Sequence, residues 1–215
     1  MSRNKMEPDT TLNKSLKKAL YRYNRKIEKG RFSLPAEAGR MVIIVSSQAD
    51  HNSTTPAEDQ IDAFNNEADW LKSLYEKTYD TVEIKRKAYS LDIPTDLSSK
   101  EVAGITLIGH GNIGDFWLEG GKHLNWTDVA RLKYLKMGEF VHRACGNFKN
   151  EYSIPLGTFA VYNQNNYIAP VGKFIDDVYP DESLFRPVYS EPLSSTEQIH
   201  SLIDQHLQKQ HKETR

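Results

Sequence analysis

Apolar residues in the first forty positions recur at helical spacing. Leu12, Leu16, Leu20, Tyr23 and Ile27 fall on one stripe, which predicts an amphipathic helix from about 11 to 29, stopped by Gly30. The pattern then changes. Arg40 to Ser47 is a continuous apolar run with β-branched residues, as expected of a strand covered on both faces. Thr55-Pro56-Ala57-Glu58 reads as an N-cap, a proline at the first helical position and a capping-box acid. Ile61, Phe64, Ala68, Leu71 and Leu74 carry that helix to about Tyr79. Thr81 to Ala88 alternates Val82 and Ile84 with charge, a second and more exposed strand.

Gly104 to Gly109 is a third apolar strand. Phe116 to Leu118 and Lys122 to Leu124, joined by Glu119-Gly120-Gly121, predict a small hairpin. Asn125 caps a helix expected from Trp126 to about Lys136, with Asp128 in its first turn. Glu139 to Ala144 and Tyr167 to Val171 give a fourth and a fifth strand, with a helix over Pro155 to Tyr162 between them. Residues 173–194 read as a long loop, and Ser194 and Glu197 open a last helix with Ile199, Leu202, Ile203 and Leu207 on one face. Helix first, then strand and helix alternating, argues for an α/β fold with a mainly parallel sheet flanked by helices. We divide the chain into a basic helical arm, residues 1–39, and one domain, residues 40–215.

Charge changes this picture only at the arm. The chain of 215 residues carries 28 Lys and Arg against 29 Asp and Glu, so its balance gives no reason to expect a nucleic-acid partner. Residues 1–40, by contrast, hold many Lys and Arg and only Glu7, Asp9, Glu28 and Glu37 as acids. A solvated basic face is the simpler account of this, phosphate or membrane contact the other. No apolar run is long enough to span a bilayer. The polar N-terminus has no secretory pattern, and a single cysteine excludes a disulfide framework and a multi-cysteine zinc site. We expect a cytoplasmic protein.

Gly109-His110-Gly111-Asn112-Ile113-Gly114 matches G-x-G-x-x-G directly after a strand, so dinucleotide binding is one reading. The motif should open a helix, yet a hairpin follows, and the acid expected about 20 residues on is missing. A second reading of the same residues carries more chemistry. His110-Gly111 ends the third strand and Ala144-Cys145-Gly146 the fourth. With one helix between them, parallel strands place both ends on the edge where α/β sheets bind ligands. An imidazole there raises the thiolate fraction of a thiol of pKa about 8.5, or takes its proton as it attacks, and then protonates the leaving amine. A glycine after the histidine allows close approach of substrate backbone.

Ile105-Thr106-Leu107-Ile108-Gly109-His110-Gly111 and Phe140-Val141-His142-Arg143-Ala144-Cys145-Gly146 resemble the two motif segments of the caspase-like cysteine peptidases, the group of caspases, metacaspases, gingipains and CHAT domains. The stretch through Gly114, Leu118, Leu124 and Leu132 is similar too, and the resemblance spans about residues 40–175. It implies a three-layer caspase-like sandwich. It also implies a thiol endopeptidase with His110 as general base and acid, Cys145 as nucleophile, and the Gly111 and Cys145 N–H groups as oxyanion donors. No cofactor or metal is implied. Protein or peptide substrates are, as are activation by a partner or a small charged ligand and a homodimer. The group also contains inactive members, so a catalytically dead scaffold that binds through the same cleft is the alternative function.

Strand alternation puts Arg143 on the face of Cys145. The position two before the nucleophile commonly lines the substrate pocket in this group, where caspases resemble it with Gln and many metacaspases with Asp. Arg143 there favours cleavage after Asp or Glu, unless it pairs with Asp115, Glu119 or Asp128. Asp115 and Trp117 are further candidates for substrate binding, and Trp117 and Trp126 for a pocket wall. His142 alternates to the opposite face and reads as a satisfied structural histidine. His123 is not followed by glycine, and His200, His206 and His211 lack metal-site spacing. Asp176, Asp177, Asp181 and Glu182 mark a substrate-facing or self-processed loop.

Overall fold

The computed structural model describes residues 10–86, 97–144, 154–170, 185–189 and 192–202. In chain order these form α1 (Thr10–Glu28), β1 (Arg40–Val45), α2 (Ala57–Tyr75), β2 (Thr81–Arg86) and β3 (Val102–Ile108). There follow β4 (Gly111–Asn112), β5 (Asp115–Leu118), β6 (Lys122–Asn125), α3 (Trp126–Val129), β7 (Phe140–Arg143), β8 (Tyr167–Pro170) and β9 (Phe185–Pro187). A last helix, α4, covers 196–202. The central sheet runs β2-β1-β3-β7-β8-β9, and β4-β5-β6 form a separate antiparallel sheet. All pairs in the central sheet are parallel except β8 with β9. The fold is mixed α/β, a mainly parallel sheet flanked by helices.

The alternation of the buried strands divides the core in two. Met41, Ile43, Val45, Ala103 and Ile108 face one way and meet Ala68 and Leu71 of α2. Val42, Ile44, Ile105, Leu107 and Phe140 face the other way. There they meet Leu16, Leu20 and Tyr23 of α1, Phe116, Leu118 and Leu124 of the small sheet, and Val129 of α3. The apolar stripe of α1 therefore docks on the body of the chain. Each fully buried leucine in it contributes about 1.5 to 3 kcal/mol.

Four expectations are corrected. Asn125 does cap α3, through a capping box with Asp128, but the helix ends at Val129 rather than near Lys136. Tertiary pairing claims the backbone beyond it: the Leu135 N–H donates to Arg31 O at 3.0 Å and the Lys136 N–H to Ala160 O at 2.8 Å. Residues 155–162 form turns, not a helix. Thr158 N–H donates to Pro155 O and Ala160 N–H to Gly157 O, after which Val161 bridges to Lys136. The start of α2 has Pro56 rather than Thr55 in the N-cap position, with no side-chain cap; the Gln60 side chain holds the preceding loop by its backbone, at Asp50 and at the Thr55 carbonyl. The stretch read as a loop over 173–194 contains β9, which closes the sheet edge against β8. The acids Asp176, Asp177, Asp181 and Glu182 lie outside the described residues.

Candidate active site at the carboxyl edge of the sheet

From β1 the chain goes through α2 to β2 on one side, whereas β3 continues to β7 on the other. The β1/β3 boundary is thus the point where the winding reverses, and the carboxyl ends of strands at such a point are where open α/β sheets hold ligands. Gly109 and His110 leave β3 there. Gly109 has φ +152, and a Cβ on it would lie 2.5 Å from the Ser46 Cβ and 3.3 Å from the Phe116 ring. Only glycine lets the end of β3 pass this close to the end of β1. Gly109→Ala is expected to lower stability by about 2 kcal/mol or more, read by urea unfolding; a variant as stable as its parent would refute the close-approach argument.

Gly111 answers a similar demand. A Cβ there would come 2.4 Å from the Asp115 carbonyl oxygen, so the glycine serves the pairing of β4 with β5. The second and third glycines of the G-x-G-x-x-G motif belong to this β-turn, where the Gly114 N–H donates to Asn112 Oδ1 at 2.8 Å. No helix opens at the motif, so the dinucleotide reading lacks the helix N-terminus it needs.

The small sheet holds the His110 backbone, with the Trp117 N–H donating to its carbonyl at 2.9 Å. The imidazole lies between Phe64 of α2, at 5.1 Å between ring centres, and Trp117 of β5, at 5.9 Å. Its Nε2 is 2.6 Å from Gln60 Oε1. The Gln60 amide cannot turn over freely, because its Nε2 donates to Asp50 O at 3.2 Å and Thr55 O at 2.7 Å while Oε1 accepts from the Asp50 N–H. Oε1 therefore presents only lone pairs, and His110 Nε2 must carry the hydrogen. In the neutral ring this leaves the basic lone pair on Nδ1. Burial holds the His110 pKa below the ordinary histidine value, opposed by nearby Asp50, so the ring is a neutral base at pH 7.

Cys145, the candidate nucleophile and second oxyanion donor, lies outside the described residues, as does Gly146. The strand leading to it is described. Ile108 of β3 is in register with Arg143 of β7, and the Gly109 N–H donates to the Arg143 carbonyl at 3.2 Å. His110 and Cys145 each follow that register pair by two residues.

Arg143 does not pair with Asp115, Glu119 or Asp128. Its Nε donates to Glu67 Oε1 of α2 in an ion pair whose side chains are 4% and 8% exposed, and its guanidinium stacks 3.9 Å from the centre of the Phe185 ring. Asp115 instead accepts from the Asn112 N–H at 3.1 Å and faces His123 Nδ1 at 3.4 Å. Asp128 is committed to the α3 cap and to Arg131. Trp126 packs on Phe159, while Trp117 flanks His110.

His142 is fully buried, but it is not a satisfied histidine: neither ring nitrogen has a hydrogen-bond partner among the described residues. Burial pushes its pKa down to about 3. No group of three His, Cys, Asp or Glu side chains suited to a metal occurs among the described residues.

Sequence reasoning missed Gln60 and Glu67. Both are buried and lie about two turns apart on the stripe that also carries Phe64, Ala68 and Leu71. Two polar residues on the apolar face of one helix were the available signal.

No protein-family model matches the chain, and no curated protein sequence does. Among solved structures, caspase-1 from Spodoptera frugiperda is similar over 64% of this chain and 60% of its own length, with 12% identity and a TM-score of 0.37. The chain thus spans less than two thirds of that protein. No helix among the described residues is long and apolar enough to cross a membrane.

Proposed function

We propose that the chain is a cysteine endopeptidase in which His110 and Cys145 form the dyad. The observation that carries this reading is the fixed, neutral imidazole of His110 at the carboxyl edge of β3, beside the strand that leads to Cys145. Nδ1 of His110 takes the thiol proton as sulfur attacks the peptide carbonyl carbon. The imidazolium returns that proton to the leaving amine, and water then cleaves the thioester. Backbone N–H groups of Gly111 and Cys145 receive the oxyanion, at about 3 kcal/mol per donor. Trp117 provides an apolar wall beside the base, and protein or peptide segments are the substrates. In the resting pocket Arg143 is matched by Glu67, so an acidic substrate residue competes with that carboxylate.

The test is digestion of a pooled peptide library by the full chain, read by mass spectrometry. Cuts are expected that vanish in both Cys145→Ala and His110→Ala. Because burial lowers the His110 pKa, the acid limb of kcat/KM is expected below pH 6.5. If no cuts appear and Cys145 reacts with iodoacetamide no faster than a model thiol, the scaffold reading replaces the enzyme.

A further inference from the structure

Helix α1 ends in a glycine cap. The Arg31 N–H donates to Lys26 O at 2.8 Å and the Gly30 N–H to Ile27 O at 3.0 Å, with Gly30 at φ +58. This pair of bonds is the Schellman pattern, which reverses the chain at once. Arg31 is thereby folded back beside the last turn of the helix. Residues 31–33 then pair with Leu135: its N–H donates to Arg31 O and the Ser33 N–H donates to its carbonyl. The pairing draws residues 130–133 alongside the same turn.

Between these segments lies a cavity of about 510 Å³. Arg22, Arg25, Lys26, Lys29 and Arg31 line it from one side, and Arg131 and Lys133 from the other. Two of these cations have carboxylates: Arg25 meets Glu28 at 2.8 Å and Arg131 meets Asp128 at 3.2 Å. The other five have none among the described residues. Lys26 is only 6% exposed, and its Nζ donates to Ala130 O at 3.2 Å. Favourable contact with the carbonyl end of α1 accounts for Arg25, Lys26 and Lys29. It does not account for Arg22, one turn earlier, or for cations brought in from residues 31, 131 and 133.

We infer that this cavity binds a small, multiply phosphorylated ligand. Converging guanidinium groups match phosphate oxygens in pairs. A concave volume of this size suits a small molecule, whereas a duplex or a lipid surface calls for an extended basic stripe. The inference stands apart from the peptidase reading, since α1 and α2 cover opposite faces of the sheet.

The ligand also has a protonic signature. Burial, then Arg22 and Arg31, lower the Lys26 pKa to about 8. Arg25 and Lys29 on its own helix and Arg131 and Lys133 across the cavity add positive charge around it, against the carboxylates of Glu28 and Asp128, while buried Lys136, held down to about 7, is mostly neutral at pH 8. A polyanion reverses that field, so binding at pH 8 takes up protons.

The experiment is calorimetric titration of the full chain with inorganic tripolyphosphate at about 0.15 M ionic strength, where isolated surface charges are screened. Saturable one-to-one binding is expected, with proton uptake seen as buffer-dependent heat at pH 8. Arg22→Gln with Arg31→Gln should weaken it at least tenfold, and so should Arg131→Gln with Lys133→Gln from the opposite wall. Lys14→Gln with Lys18→Gln, the same loss of charge on exposed positions of α1, should change Kd less than twofold. Thermal unfolding of each variant checks that it is folded. Absence of saturable binding, or equal weakening by all three pairs, overturns the inference. So does binding to duplex DNA or to phosphoinositide vesicles that tripolyphosphate fails to displace.

Discussion

Replacing His142 by leucine is expected to flatten the acid limb of the stability curve. The ring is wholly buried in β7, edge-on to Phe116 at 6.2 Å, with both nitrogens unpartnered among the described residues. Its folded pKa of about 3 lies far below the ordinary value of 6.5, so the unfolded chain binds the proton more readily. The contribution of the neutral ring is therefore whole above pH 6.5 and is lost as pH falls from there toward 3. The slope reaches about 1.4 kcal/mol per pH unit, and the integrated effect is several kcal/mol. Leucine has comparable bulk and nothing to protonate. At pH 7 the substitution also removes two buried polar atoms that make no hydrogen bonds among the described residues, so it is expected to be neutral or stabilising there. Urea unfolding from pH 7.5 to 4.5 checks this. Parent and variant should diverge below pH 6.5, and parallel profiles would refute the assignment.

His142 also shows where sequence reading reached its limit. Period-two alternation placed it on the face opposite Arg143, and there it meets Phe116 while Arg143 meets Glu67 of α2. Alternation says nothing about partners, so a buried and unsatisfied histidine was not foreseeable. The strands β1, β3 and β8 were legible because each is a short, mostly apolar run, and β7 because Phe140 and Val141 open a segment bounded by Gly138 and Gly146. The capping box of Asn125 with Asp128 was legible because it is local. Helices expected over 126–136 and 155–162 failed because Leu135, Lys136, Ala160 and Tyr162 spend their backbone bonds on partners far away in the chain, which no window of sequence contains. His110 was legible from its place at a strand end. The proton assignment on its ring was not, since it depends on Gln60, 50 residues earlier, and on two carbonyls that lock the Gln60 amide.

Removing the Glu67 carboxylate is expected to be the most damaging single change in α2. Glu67 and Arg143 are almost completely buried, and a charge kept from water is costly without its counter-charge. Glu67→Ala is expected to destabilise by about 3 to 5 kcal/mol, read as a loss of urea midpoint at pH 7. The penalty belongs to burying the guanidinium without this carboxylate more than to the attraction lost. Glu67→Leu combined with Arg143→Met should therefore recover most of the stability, because an apolar pair carries no desolvation cost. Losses that simply add in the double variant would show instead that the two side chains do not act as a pair. Glu67→Gln separates structure from specificity. The amide still accepts from Arg143 Nε, so the loss of stability should be smaller than in Glu67→Ala, while the Glu67 carboxylate no longer offsets the positive charge beside Phe185. On the peptidase reading, the parent cleaves with weak charge preference and Glu67→Gln shifts cleavage toward Asp and Glu. An unchanged cleavage profile would place the guanidinium outside the pocket and leave Arg143 with a purely structural task, the joining of β7 to α2.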